Sequence, residues 1–282
     1  MRTLYVSDLD GTLLRPEGKL SLKTINIINR LLDEGLYFTA ATARSPIGIG
    51  LLNLDALHFR LPLILMNGVL LFDVSTQKIL HSYTMSGRTV QRVLDICMHH
   101  GKAPFLYQVH NGDMAIYYLQ TTSLAEQVFL EKRAARFPQA FRQISRYSAE
   151  GGGVYFSLQD TYERLDAICR ELEPLAEIRC AFYKDVYMDD NWYLEIFDAA
   201  SGKDKGIARI AARWQVDRIV AFGDNLNDAA MLRMADCACV VENGMDAAKA
   251  LADHIIGSNV ADGVAEFLRS DFYKSSGRRE SE

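Results

Sequence analysis

The sequence has no excess of positive charge, no long apolar run, no paired-cysteine motif and no glycine-rich phosphate loop. Lysines and arginines number 31 against 36 aspartates and glutamates, a formal charge of −5. That balance argues against a general nucleic-acid binder, which needs a basic footprint. The most apolar stretch, residues 61–72, is interrupted by Asn67 and Gly68 and falls short of the ~18 residues that a membrane span needs. Asp8 and Asp10 stand where a secretory leader carries its apolar stretch. The cysteines Cys97, Cys169, Cys180, Cys237 and Cys239 are odd in number and lack CxxC spacing, so neither a disulfide framework nor a zinc site is indicated. Reduced thiols and a cytoplasmic setting are expected. GxxxxGK[ST] does not occur, which excludes a P-loop nucleotide hydrolase. Repeats and low-complexity tracts are also missing.

What is present reads as two interleaved textures. Hydrophobic residues make up 49% of the 282 residues, enough for a large core, and the length suggests two domains. Thr3–Ser7, Leu36–Ala41 and Pro62–Met66 read as near-continuous apolar strands, with a helix between the first two capped by Ser21 and carrying Leu22, Ile25, Ile28 and Leu32. Such strands, separated by helices, imply a parallel sheet covered on both faces. The middle differs. Phe105–Val109, Met114–Tyr118 and Val154–Leu158 alternate and are rich in aromatics, with amphipathic helices between them. That pattern suggests an α+β unit with helices on one face of an open sheet. Buried strands resume with Arg218–Phe222 and Cys237–Val241. The expected division is a discontinuous α/β core, residues 1–82 and 193–273, an insert over 83–192, and a polar tail over 274–282.

Two acidic motifs follow buried strands. Asp8-Leu9-Asp10-Gly11-Thr12 closes the first, and Gly223-Asp224-Asn225-Leu226-Asn227-Asp228 closes a later one. Ligand crevices of open parallel sheets lie outside such strand ends. A tight turn accounts for Asp10-Gly11 and a helix cap for one acid of the second motif, but not for a second strand-end acid in the same sheet. Four oxygen-donor acids, Asp8, Asp10, Asp224 and Asp228, without histidine or cysteine suit Mg²⁺ working with a substrate phosphate.

These motifs, with Thr42 after the second strand and a lysine before a later helix, resemble the haloacid dehalogenase (HAD) superfamily, across residues 3–268. The large insertion resembles the C2-type cap of its Cof-like phosphatases. The resemblance implies a Rossmann-like parallel-sheet HAD core with an inserted α+β cap domain. It also implies a Mg²⁺-dependent phosphatase of a small phosphorylated metabolite, acting through an aspartyl-phosphate. Asp8 would be the nucleophile and Asp10 the general acid, then base. Mg²⁺ would be held by Asp8, the Asp10 carbonyl and Asp224, with Asp228 nearby. Thr42 and a lysine would complete the catalytic set. Phosphate contacts would come from Leu9, Gly11, Ala43, Arg44, Asn67, Gly68 and Asn227, with a surface salt bridge the other reading of Arg44. No nucleic-acid or membrane partner is expected.

Family usage favours Lys205 as that lysine. Helical phase favours Lys203, which lies four residues before the inward-facing Ile207. Lys203 is preferred and Lys205 stays open. Thr42-Ala43-Arg44 departs from the family's Thr-Gly-Arg. A sugar phosphomutase, or a non-catalytic phospholigand-binding protein on the same fold, is the alternative reading.

Overall fold

The computed structural model describes residues 2–184 and 190–277. In chain order the elements are β1 (Thr3–Ser7), α1 (Leu22–Asp33), β2 (Tyr37–Ala40), α2 (Pro46–Ile49), β3 (Leu63–Leu65), β4 (Leu70–Asp73) and β5 (Lys78–Ser82). Next come α3 (Gly87–His99), β6 (Phe105–His110), β7 (Asp113–Tyr118), α4 (Leu124–Ala134), β8 (Phe141–Gln143), β9 (Tyr155–Asp160), α5 (Tyr162–Leu172), β10 (Ile178–Lys184) and β11 (Trp192–Asp198). The chain ends with α6 (Lys203–Trp214), β12 (Arg218–Gly223), α7 (Ala229–Met234), β13 (Cys237–Val241), α8 (Asp246–Lys249), β14 (His254–Ile256) and α9 (Gly263–Ser276). It divides into two compact units, Met1–Leu80 with Gly202–Glu282, and His81–Ser201.

The first unit is built on a parallel sheet in the order β14-β13-β12-β1-β2. β1 is fully buried along its length, as a strand covered on both faces must be. Its Leu4 and Val6 share one core cluster with Ile207 and Ile210 of α6 and Met231 of α7. Strand order reverses between β12 and β1, and ligands bind outside the carboxyl ends at such a switch point. The register pairs Ser7 with Phe222, so Asp8 and Gly223-Asp224 leave adjacent strands at the same edge. Ser21 caps α1 by accepting from Thr24 N at 2.9 Å. The buried stripe of α1 is Thr24, Ile28, Leu31 and Leu32. Leu22, expected inside, is 79% exposed, because packing selects a face rotated from the one chosen by counting apolar residues alone. β3, expected in the parallel sheet, instead pairs antiparallel with β4 in a separate β3-β4-β5 sheet. Just past the end of β2, the parallel bridge Ala41–Ile64 joins the two sheets.

The second unit is a six-stranded sheet, β10-β11-β9-β6-β7-β8. Leu106, Phe156, Leu158, Leu194 and Ile196 pack one of its faces onto Val90, Val93 and Leu94 of α3 and Leu165 and Ile168 of α5. Strand alternation turns Phe105 to the opposite face, where it meets Phe129 of α4 at 5.1 Å. The expectation of helices on one face is therefore corrected: α4 covers part of the other. β11 pairs with β9 and β10, so the chain leaves this unit at Ser201 and not at the expected residue 192. At the C-terminus α9 runs on to Ser276, into the expected polar tail; residues 278–282 lie outside the described residues.

Candidate active site

Asp8 follows the last residue of β1 and is 4% exposed. Lys203 opens α6, 2% exposed, and its Nζ donates to Asp8 Oδ1 at 2.5 Å and to Asp228 Oδ1 at 2.6 Å. Lys205, the other candidate, is half-exposed and lies 3.3 Å from Asp204. Helical phase explains the difference, since Lys203 shares the buried face of Gly206, Ile207 and Ile210.

Asp228 is fully buried and its carboxylate is committed to neighbours. Oδ1 accepts from Lys203, and Oδ2 accepts from the backbone N–H groups of Asp224 and Asn225 at 3.0 and 3.2 Å. It therefore orients the loop and the lysine. Asp224 Oδ1 accepts from Thr12 Oγ1 at 3.0 Å, a contact the sequence reading missed although Thr12 stands in the same five-residue motif. A Cβ on Gly11 (φ +81°) would lie 2.5 Å from Asp224 Oδ2, so only glycine lets this turn come so close to that carboxylate.

Burial is the strongest influence on Asp8 and pushes its carboxyl up; Lys203 opposes this, and Asp228 adds to the rise. Burial also lifts Asp224, to about 6, with Asp228 repelling its charge. Burial alone would lower Lys203, but Asp8 and Asp228 outweigh it and hold the ammonium above its ordinary value. Carboxylate oxygens of Asp8, Asp224 and Asp228 lie within 4.8 Å of one another. Three acids around one ammonium leave negative charge to be balanced, and an all-oxygen donor set of this size fits a hard divalent cation. The Asp10 carboxylate is not in this cluster.

Asp10 is bonded by Arg44, whose Nε and Nη2 reach its two oxygens at 2.7 and 2.6 Å. Thr42, buried at the end of β2, accepts from Arg44 N at 3.2 Å, which leaves its hydroxyl hydrogen to donate. Met66 N and Asn67 N donate to the carbonyls of Arg44 and Thr42 at 3.0 Å each. This joins the Thr42 loop to Met66-Asn67-Gly68, three successive residues at positive φ. Asn67 Oδ1 is buried without a hydrogen-bond partner. Leu9 sends its side chain into the core, whereas Ala43 and Asn227 are exposed. Asn243 Nδ2 ties the Gly11 carbonyl at 2.8 Å.

The sequence pattern of the haloacid dehalogenase-like hydrolases matches residues 5–268. The chain is 27% identical over 275 residues to the pyridoxal phosphate phosphatase YbhA of Escherichia coli, covering 93% of this chain and 96% of that protein. It is also 27% identical over 281 residues to the 5-amino-6-(5-phospho-D-ribitylamino)uracil phosphatase YitU of Bacillus subtilis, covering 95% and 97%. A solved haloacid dehalogenase-like hydrolase from Bacteroides thetaiotaomicron shares the fold, with a TM-score of 0.76 at 19% identity over 96% of this chain and 100% of that one. Among the described residues no helix is long and apolar enough to cross a membrane. With acids and lysine gathered at the switch point of such a core, the chain belongs to the haloacid dehalogenase-like hydrolase family and is a phosphoric monoester hydrolase.

Proposed function

We propose that the chain is a cytoplasmic, Mg²⁺-dependent phosphatase of a small phosphorylated metabolite, working through an aspartyl-phosphate on Asp8. The observation that carries this reading is Lys203 Nζ set between Asp8 and Asp228 at 2.5 and 2.6 Å, beside Asp224. Lys203 commits one Asp8 oxygen and leaves Oδ2 to attack. The Oδ2–phosphorus bond forms as the ester P–O bond breaks, and Asp10 gives its proton to the leaving oxygen. Asp10 then takes a proton from water, whose oxygen bonds to phosphorus while the Asp8–phosphorus bond breaks. Thr42 would donate to a phosphoryl oxygen, and Lys203 balances charge throughout. Asp8, Asp224 and the Asp10 carbonyl would hold Mg²⁺, which supplies charge neutralisation at the phosphoryl group.

The relatives act on pyridoxal phosphate and on a phosphorylated ribitylamino-uracil, so small organic phosphate esters form the panel to assay for released phosphate. Asp8→Asn is expected to abolish release, and a chelator to abolish it until Mg²⁺ is restored. Full activity of Asp8→Asn would overturn the mechanism. Recovery of an isomerised phosphate ester in place of free phosphate would overturn hydrolysis.

A further inference from the structure

Two aspartates leave β1 two residues apart, and each has its own cation. Lys203 bonds Asp8. Arg44 bonds Asp10 side-on, with one N–H to each carboxylate oxygen, at 2.7 and 2.6 Å. This fork fixes the plane of the carboxyl as well as its position, which a point-charge ammonium does not do. Arg44 is itself anchored in the site. Its N–H donates to Thr42 Oγ1 and its carbonyl accepts from Met66 N. The group that grips Asp10 thus hangs from the loop that carries the phosphate-site threonine.

Folding stability does not account for this geometry. The two side chains are 30% and 50% exposed, and such a pair is worth about 0–1 kcal/mol. Orientation does account for it. A half-exposed aspartate samples several rotamers, whereas proton transfer requires its carboxyl within about 3 Å of one particular oxygen.

We infer that Arg44 is the positioning residue for Asp10, rather than a contact of the substrate phosphate. It fixes the plane of the carboxyl while each oxygen keeps one lone pair outside the fork, where the transferred proton can be carried. The inference rests on the phosphatase reading and adds to it a division of labour between the two cations.

The test compares 4-nitrophenyl phosphate, whose leaving group departs without a proton, with n-propyl phosphate, whose alkoxide needs one. kcat/KM reports only the first phosphoryl transfer, because that step releases the alcohol. In Arg44→Ala, kcat/KM should fall about 10²-fold for the propyl ester and less than about 3-fold for the nitrophenyl ester. kcat should fall for both, since activation of water also uses Asp10. Arg44→Lys should recover part of the propyl-ester rate, and Arg44→Gln, which keeps the length and polarity of the stem, should behave as Ala does. In an Asp10→Asn background, Arg44→Ala should add less than about a 2-fold loss. Equal losses of kcat/KM for the two esters, or a further large loss in the Asp10→Asn background, would overturn the assignment. If the unaltered protein releases phosphate from neither ester nor from the metabolite panel, the phosphatase reading fails and the assignment falls with it.

Discussion

Lys203→Met offers the most direct measure of how the buried charge cluster is held. Methionine keeps most of the stem and removes the ammonium, stranding two carboxylates that were bonded at 2.5 and 2.6 Å. The three side chains are 1%, 6% and 0% exposed, so solvent does little to replace the lost partner. Removing one partner of a buried ion pair costs about 3–5 kcal/mol. With Asp224 within 4.8 Å of the others, repulsion at that range adds on the order of 3 kcal/mol at an effective dielectric of 20. Proton uptake caps the total, which should settle at about 4 kcal/mol. For a unit of this size, that is a fall in Tm of roughly 8–16 °C. The assay is thermal unfolding followed by the fluorescence of Trp214, which packs against the core of the first unit, in a Trp192→Phe background; the chain has two tryptophans. Adding Asp228→Asn to Lys203→Met removes one stranded charge and should restore about half the loss. A fall below roughly 3 °C, or a double variant less stable than the single one, would refute the reasoning.

Two further predictions concern parts of the frame around the cluster. Burial raises the Asp262 carboxyl, but hydrogen bonds from Ser21, Thr24 and Arg15 outweigh it and hold the group below its ordinary value of 3.8. Its contribution is therefore complete above that value and lost as pH falls through the lower folded-state value. Asp262→Asn should cost about 2 kcal/mol in urea unfolding at neutral pH, and the gap to the unaltered protein should close towards pH 2. A gap that does not change with pH would count against the carboxylate's role. Gly68 has φ +94°, and a Cβ there would sit 2.0 Å from the Gly202 carbonyl oxygen; Gly35 has φ +99° with nothing within 4 Å. Gly68→Ala should cost about 3 kcal/mol and slow turnover, against about 1 kcal/mol and no loss of rate for Gly35→Ala. Equal costs would show that the close approach to Gly202 is unimportant.

The acids at the strand ends were legible because an acid closing an apolar strand has no packing reason to be there. Lys203 was legible because helical phase ties it to Ile207. Other features depended on contacts distant in sequence. Thr12 meets Asp224 and Lys203 meets Asp228 only once β1, β12 and α6 have packed. The sequence left Arg44 between a phosphate contact and a surface salt bridge, because its pairing with Asp10 spans 34 residues. β11 was misassigned to the core because Leu194-Glu195-Ile196 alternates equally well for either sheet, and only the pairing with β9 decides. β3 was read as a parallel strand because a fully buried run carries no mark of its partner's direction.

The pairing of β1 with β12 has a consequence for biosynthesis. Ser7 finds its neighbour in Phe222, about 215 residues later in the chain. At about 5–20 residues per second, that partner emerges from the ribosome some 10–40 s after β1 does. During that interval one edge of β1 is unpaired and the strand carries no charged side chain, the kind of surface that aggregates or recruits chaperones. The second unit is contiguous and has all its strands within His81–Ser201, so it can fold during the wait. Asp8, Lys203 and Asp228 can meet only after residue 228 has been made.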